Sequence, residues 1–429
     1  MASTHSKLTS WVIPTLSVLS VLSAGVYLYY SSYSSLAKTK KEVETDEGVN
    51  KGKMRKGPEE ISPLMGPERE EVIEGMKKKL EAGEVVVDKI YVHPIKSCKG
   101  TSVQSSTYTP EGLDYDRKWC VVDSETNKIL TARELAKLVL IIPRIEVDPT
   151  SPYGGKLVVS FPADSGVESL EVPLCPTEEM LKAWEVIEVT MFNTYTMDGY
   201  VTTSLPPSAS SSPSTLLSKY LSHPAHLLYK GPTPRPTPPT LLYPSLPETT
   251  NAYFQDGFPL HLASEESLVE VGRVVEVWSE GGKKEEGKKM GVVGWEGRPV
   301  EMQRFRPNIV LKGAGVPFAE DTWEEITIVP SNNQDDDAKH EREATSITLV
   351  SPCARCLLPN VDTITGERDK AVPYKVLMKF RTGIDKERMT KPCFGVNGVF
   401  VGKQEKEGSR EIRVGDKVQV DKWLAADEP

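Results

Sequence analysis

Two cysteines three residues apart, Cys353 and Cys356, stand in the stretch Ser351-Pro352-Cys353-Ala354-Arg355-Cys356-Leu357-Leu358-Pro359, just after an apolar run at residues 346–350. Thiols at this spacing serve a zinc site, a redox disulfide, or one soft thiolate for a heavier metal. Zinc wants a second pair of ligands, yet Cys393 stands alone and no histidine lies close by in sequence. A thioredoxin-like pair opens a helix within an alternating strand–helix pattern, and Leu357-Leu358-Pro359 follows instead. Two packed, inert thiols are a further reading, since free cysteine is among the most buried residue types. Arg355 between the thiols points the other way, because a neighbouring cation favours the thiolate that ligates metals. Spacing alone does not choose among these.

A second constellation is His93-Pro94-Ile95-Lys96-Ser97-Cys98-Lys99-Gly100, followed by Asp116-Arg117-Lys118-Trp119. Lys96, Lys99 and Arg117 suit a phosphate, with Ser97 and backbone N–H groups completing a cradle. The same cations also fit ordinary surface charge beside a strand. Arg304 and Arg306 precede the apolar run at 308–311, where an arginine either reaches into a site or pairs with a carboxylate.

The elements that must position these groups are mostly short and β-branched. Runs at residues 85–92, 118–122, 156–161 and 185–190 read as strands of a first β-rich, barrel-like unit over 85–203. A Pro- and Ser-rich connector spans 204–252, with room for a helix and a strand at 216–229. A second unit runs over 253–425. It holds a helix at 264–277 capped by Ser264, strand-like segments at 308–311, 325–329 and 344–349, and a final segment at 412–420 that turns at Val414-Gly415-Asp416. Charged, low-complexity stretches at 279–290 and 331–343 read as loop insertions.

Upstream, residues 8–37 carry no charge, and the core of this run meets the roughly 20 residues needed to cross a bilayer. Trp11 at one end and Tyr27, Tyr29, Tyr30 and Tyr33 at the other suit the headgroup level. Lysines and an arginine follow the run, which predicts a single transmembrane anchor at 8–33 with the downstream part facing the cytosol. A polar tether ending in a short amphipathic helix is expected over 34–84. The chain has 429 residues, 52 basic against 61 acidic side chains and only 6 cysteines, a balance that disfavours nucleic-acid binding and a secreted disulfide scaffold.

The motifs Tyr91-Val92-His93-Pro94-Ile95-Lys96-Ser97, Leu113-Asp114-Tyr115-Asp116-Arg117-Lys118-Trp119, Leu130-Thr131-Ala132-Arg133, Arg304-Phe305-Arg306-Pro307-Asn308, Asp321-Thr322-Trp323 and Cys353-Ala354-Arg355-Cys356 occur in this order. As a set, covering about 85–420, they resemble the MOSC family and its amidoxime-reducing members. The resemblance implies a mainly β (α+β) chain, with a MOSC N-terminal β-barrel domain, then a MOSC β-barrel domain, and a molybdenum cofactor (a molybdenum pyranopterin) between them. It implies Cys356 as metal ligand and catalytic residue, Lys96, Ser97 and Arg117 on the pterin phosphate, and Ser264, Arg306 and Arg355 along the cofactor. Asn397 stands where animal relatives place a tyrosine, and Ala354 where relatives often carry serine.

The implied activity is two-electron reduction of N-hydroxylated compounds, amidoximes and hydroxylamines, at an oxo-molybdenum centre. Electrons would have to come from outside, because the chain shows neither a Gly-rich dinucleotide motif nor an iron–sulfur cysteine set, and the resemblance implies cytochrome b5 and its NADH-dependent reductase as the donors. MOSC domains also end molybdenum cofactor sulfurases, so a sulfur-carrier or cofactor-handling role is the alternative. The membrane implied is the mitochondrial outer membrane, with the endoplasmic reticulum second.

Overall fold

The computed structural model describes residues 69–206, 211–280, 291–331, 342–400 and 410–425. The anchor expected at 8–33 and the tether up to residue 68 lie outside them, as does most of both charged insertions. Among the described residues no helix is long and apolar enough to cross a membrane.

Seven strands close into a barrel. In chain order they are β1 (Val86–Val92), β2 (Leu260–Ser264), β3 (Ile309–Lys312), β4 (Trp323–Val329), β5 (Thr345–Ala354), β6 (Cys393–Phe400) and β7 (Lys417–Trp423). Around the barrel the order is β3-β2-β6-β5-β4-β7-β1, and β1 pairs with β3 to shut it. Only β2 and β3 run parallel among these neighbours, as a strand–helix–strand connection requires, and the helix Glu265–Glu280 fills that connection. Ile90, Leu262, Leu311, Ile326, Ile347, Leu349, Val396 and Val418 fill the interior, and Met76 and Leu80 of the helix Arg69–Glu81 pack onto the same core. Gly395 interrupts β6 at φ 70°, and a Cβ there would lie 2.2 Å from the Leu262 carbonyl oxygen. Glycine is what lets β6 approach β2 so closely.

A four-stranded sheet (Trp119–Asp123, Ala225–Lys230, Tyr195–Val201, Val186–Met191) and a three-stranded one (Ile142–Val147, Gly155–Ser160, Leu170–Pro173) make the second body. Trp119, Val121, Leu157, Leu217 and Leu227 share its core with the helix Pro213–Leu221. Both the helix and the strand expected in the connector are present, at Pro213–Leu221 and Ala225–Lys230.

Sheet topology departs from chain order. The strand β1 opens the first sequence unit yet hydrogen-bonds into the barrel built from the second, and Glu411–Arg413 pairs back onto Ser105–Thr109. Local periodicity reports that a segment is extended, whereas the identity of its partner depends on contacts hundreds of residues away.

Candidate functional site

Leaving the barrel, β1 runs into the loop 93–100, which the second body holds by backbone bonds: Lys96 N to the Trp119 oxygen at 2.9 Å and Lys99 N to the Ile141 oxygen at 3.0 Å. Lys96, Ser97 and Arg117 are all buried in this junction. Ser97, Arg117 and Arg306 have φ of 67°, 50° and 56°. Non-glycine residues in that left-handed region cost of order 1–3 kcal/mol each and persist where the surroundings over-determine them.

Asp116 is the anchor of this side. Fully buried, it accepts from His93 N at 2.8 Å and takes both carboxylate oxygens to Arg117 Nη1, at 2.8 and 2.6 Å. Burial alone would raise its carboxyl, but Arg117 and His93 overcome that and hold it below the ordinary value. Arg117 also donates to the Asn308 side chain at 3.2 Å and, through Nη2, to the Arg306 oxygen at 3.1 Å. Lys96 donates to the Phe254 oxygen at 2.8 Å and pairs with Asp256.

Cys353 lies near the end of β5 and Cys356 just beyond it. Arg355 donates through Nη1 to Cys353 Sγ at 3.0 Å and through Nη2 to the Phe305 oxygen at 2.7 Å, and its ring neighbour is Phe305 at 5.7 Å. The cation between the cysteines therefore serves Cys353. It does not win there: burial raises the Cys353 thiol above its ordinary value despite Arg355. The sequence expectation of a thiol lowered by Arg355 fails at this residue because desolvation outweighs one shared cation. Cys356 is half-buried, and among the described residues its Sγ accepts only a long bond from Leu358 N, 3.5 Å.

One segment ties the two sides together. Arg304, almost fully buried, pairs with Asp362 beyond the thiols; the Phe305 oxygen takes Arg355; Arg306 donates to the Cys98 oxygen while its own carbonyl receives Arg117. A narrow cleft lies along this bridge, lined by Lys99, Gly100, Arg304, Arg306, Leu358 and Thr363 among others. Burial and the neighbouring Arg117 charge push the Arg306 guanidinium down to about 9. Its Nη2 and the Arg355 Nε are buried donors without an acceptor among the described residues. Leaving such groups unmet costs about 1–3 kcal/mol each, and an anionic or carbonyl-bearing ligand would fit these two donors.

The remaining two expected residues take no part in those bonds. Ser264 is buried at the start of the helix Glu265–Glu280, where Ser267 N bonds its Oγ at 3.3 Å, and it donates to Glu320 Oε2 at 2.8 Å. Asn397 on β6 donates to Ser351 Oγ at 3.0 Å, beside the strand that carries the thiols. Sequence reasoning quoted Asp116 and Arg133 without a role and passed over Asp256 and Glu320. The clue for Asp116 was an acid directly before a buried arginine; Glu320 left no local signal.

The match to known proteins runs along the same division. The MOSC N-terminal beta barrel domain matches residues 84–205 and the MOSC domain residues 249–419. Mitochondrial amidoxime reducing component 2 of Rattus norvegicus is 28% identical over 343 residues, 77% of this chain and 82% of that protein. Mitochondrial amidoxime-reducing component 1 of Mus musculus is 28% identical over 347 residues, covering 77% and 81%. A molybdenum cofactor sulfurase of Oryza sativa subsp. japonica is 26% identical over 346 residues, which is 78% of this chain and 35% of that protein. With both domains matched in order and the basic junction built between them, the chain belongs to the MOSC-domain family.

Proposed function

We propose that the chain binds a molybdenum cofactor and reduces N-hydroxylated compounds such as amidoximes and hydroxylamines. The observation that carries the reading is the pair of buried, acceptor-less donors, Arg306 Nη2 and Arg355 Nε, on one bridge between a half-buried thiol and a cationic loop. A soft thiolate for the metal and guanidinium groups for a phosphate are what this cofactor's chemistry requires, so the residues fit it. Cys356 would hold the metal; Lys96, Ser97 and Arg117 would hold the phosphate end; Arg306 and Arg355 would meet the pterin's polar edge, with Ser264 and Asn397 as outlying members of the set. When bound, the cofactor supplies the two-electron reduction of the substrate's N–O bond. The chain's own part is to fix the cofactor through Arg306 and Arg355 and to keep its guanidinium groups turned inward.

Support for the activity comes from relatives named as amidoxime reducing components, 28% identical over most of their length. With it go cytochrome b5 and its NADH-dependent reductase as electron donors, a small-molecule substrate, and an anchor at 8–33 in the mitochondrial outer membrane with the catalytic part facing the cytosol. A second reading, a sulfur carrier or cofactor-handling protein, draws on the match to the rice sulfurase.

Purified full chain should contain molybdenum and pterin fluorescence and should turn over benzamidoxime with a chemical reductant. Metal-loaded protein that reduces no N-hydroxylated compound with any donor would move the assignment to the carrier role.

A further inference from the structure

Lys96 is not free to receive a phosphate in this structure. Its side chain is 5% exposed, and its ammonium already faces three groups: the Phe254 oxygen at 2.8 Å, the Asp256 carboxylate, and the Phe192 ring at 5.3 Å. The first of these is fixed. Phe254 is fully buried, and the carbonyls on either side of it, those of Tyr253 and Gln255, are held by Arg235 at 2.8 and 3.1 Å. The Asp256 side chain, by contrast, is 66% exposed at the end of that clamped segment. Arg133 also lies over the Phe192 ring, its guanidinium carbon 4.3 Å from the centroid. Arg133 bears on Asp256 electrostatically, and its guanidinium makes no hydrogen bond among the described residues.

We propose that Asp256 is a resident counter-anion that an incoming phosphate displaces from Lys96, and that Arg133 is the cation which receives the displaced carboxylate. The inference rests on the cofactor reading for the arrival of a phosphate at Lys96, and it assigns Asp256 and Arg133 as positioning residues in an anion exchange. Physically the exchange keeps a buried ammonium paired at all times. A charge buried without a partner is costly, and a carboxylate that swings between two cations avoids that state before and after loading.

The test is calorimetric titration of inorganic phosphate into the full chain stripped of cofactor, so it stands apart from turnover and from the reductase reading. Asp256→Asn removes the competitor and is expected to bind phosphate about ten-fold tighter than wild type. Arg133→Gln is expected to weaken binding about three-fold in the wild-type background and to have no effect in the Asp256→Asn background. An Asp256→Asn protein that melts like wild type and binds phosphate no tighter would overturn the exchange. An Arg133→Gln effect undiminished without Asp256 would place Arg133 on the phosphate itself and overturn its receiving role.

Discussion

The cationic side of the site and the thiol side are built by opposite means. Around Asp116 and Arg117 the buried polar side chains are spent on one another: Asp116 takes three bonds, Arg117 gives four, and Asn308 both accepts and donates. Around Cys356 the chain is half-open, with one long bond to the sulfur, and Leu357 beside it is 47% exposed. A group that must bond a metal has to be left unspent by the fold, whereas the groups that frame it can be spent in advance. Substitutions on the thiol side should therefore cost chemistry, and those on the cationic side should cost stability.

The largest separation is expected from Cys356→Ser. Loss of the thiolate should lower benzamidoxime turnover by more than about 100-fold, beyond the 10–100-fold typical of outer-shell changes, with a melting temperature within about 1 °C of wild type. Steady-state kinetics and a thermal melt on one preparation check both halves; a melting temperature that falls with activity would erase the contrast. On the opposite side, Asp116→Asn removes the buried carboxylate that Arg117 and His93 share. About 3–5 kcal/mol of stability should be lost, since breaking a buried pair strands its partner charge. Urea unfolding measures it.

Both sides draw on the same segment, 304–306, and that link is only partly written in the sequence. Residue type and spacing made Lys96, Arg117, Arg306 and Cys356 candidates with ordinary structural readings beside them, and the ordered set of motifs, through its resemblance to a family, gave them roles. The helix beginning after Ser264 and the strand leading into the thiols were legible from a cap and from a β-branched run, whereas the strand Cys393–Phe400 beside it was not. What was not legible is set by distance in space. No local pattern says that β1 will close a barrel with β3, or that Arg355 will bond Cys353. Nor does any pattern say that Glu320 will sit fully buried beneath Ser264 and Ser267.

Glu320 sharpens the comparison through pH. Burial, and then the neighbouring Asp321, raise its carboxyl from 4.5 to about 7. Between those values the folded chain keeps a proton that the unfolded chain releases, so this group's contribution to stability is full below pH 4.5 and is lost as pH rises toward about 7. Melting temperature should fall across that window in wild type and should change less in Glu320→Gln, with the Ser264 and Ser267 bonds retained by the amide. Equal slopes in the two proteins would remove Glu320 from the account.

The smallest effect is expected at Asn397. Replacing it with alanine removes the bond to Ser351 and should cost about 1 kcal/mol, with turnover within about three-fold of wild type. A loss of activity without a loss of stability would bring Asn397 inside the site.

Molybdenum X-ray absorption on the purified chain tests the thiol assignment most directly. If Cys356 bonds the metal, the sulfur shell of wild type should exceed that of Cys356→Ser by one atom, while Cys353→Ser keeps the wild-type count. Identical sulfur shells in wild type and Cys356→Ser, at equal molybdenum content, would contradict the account.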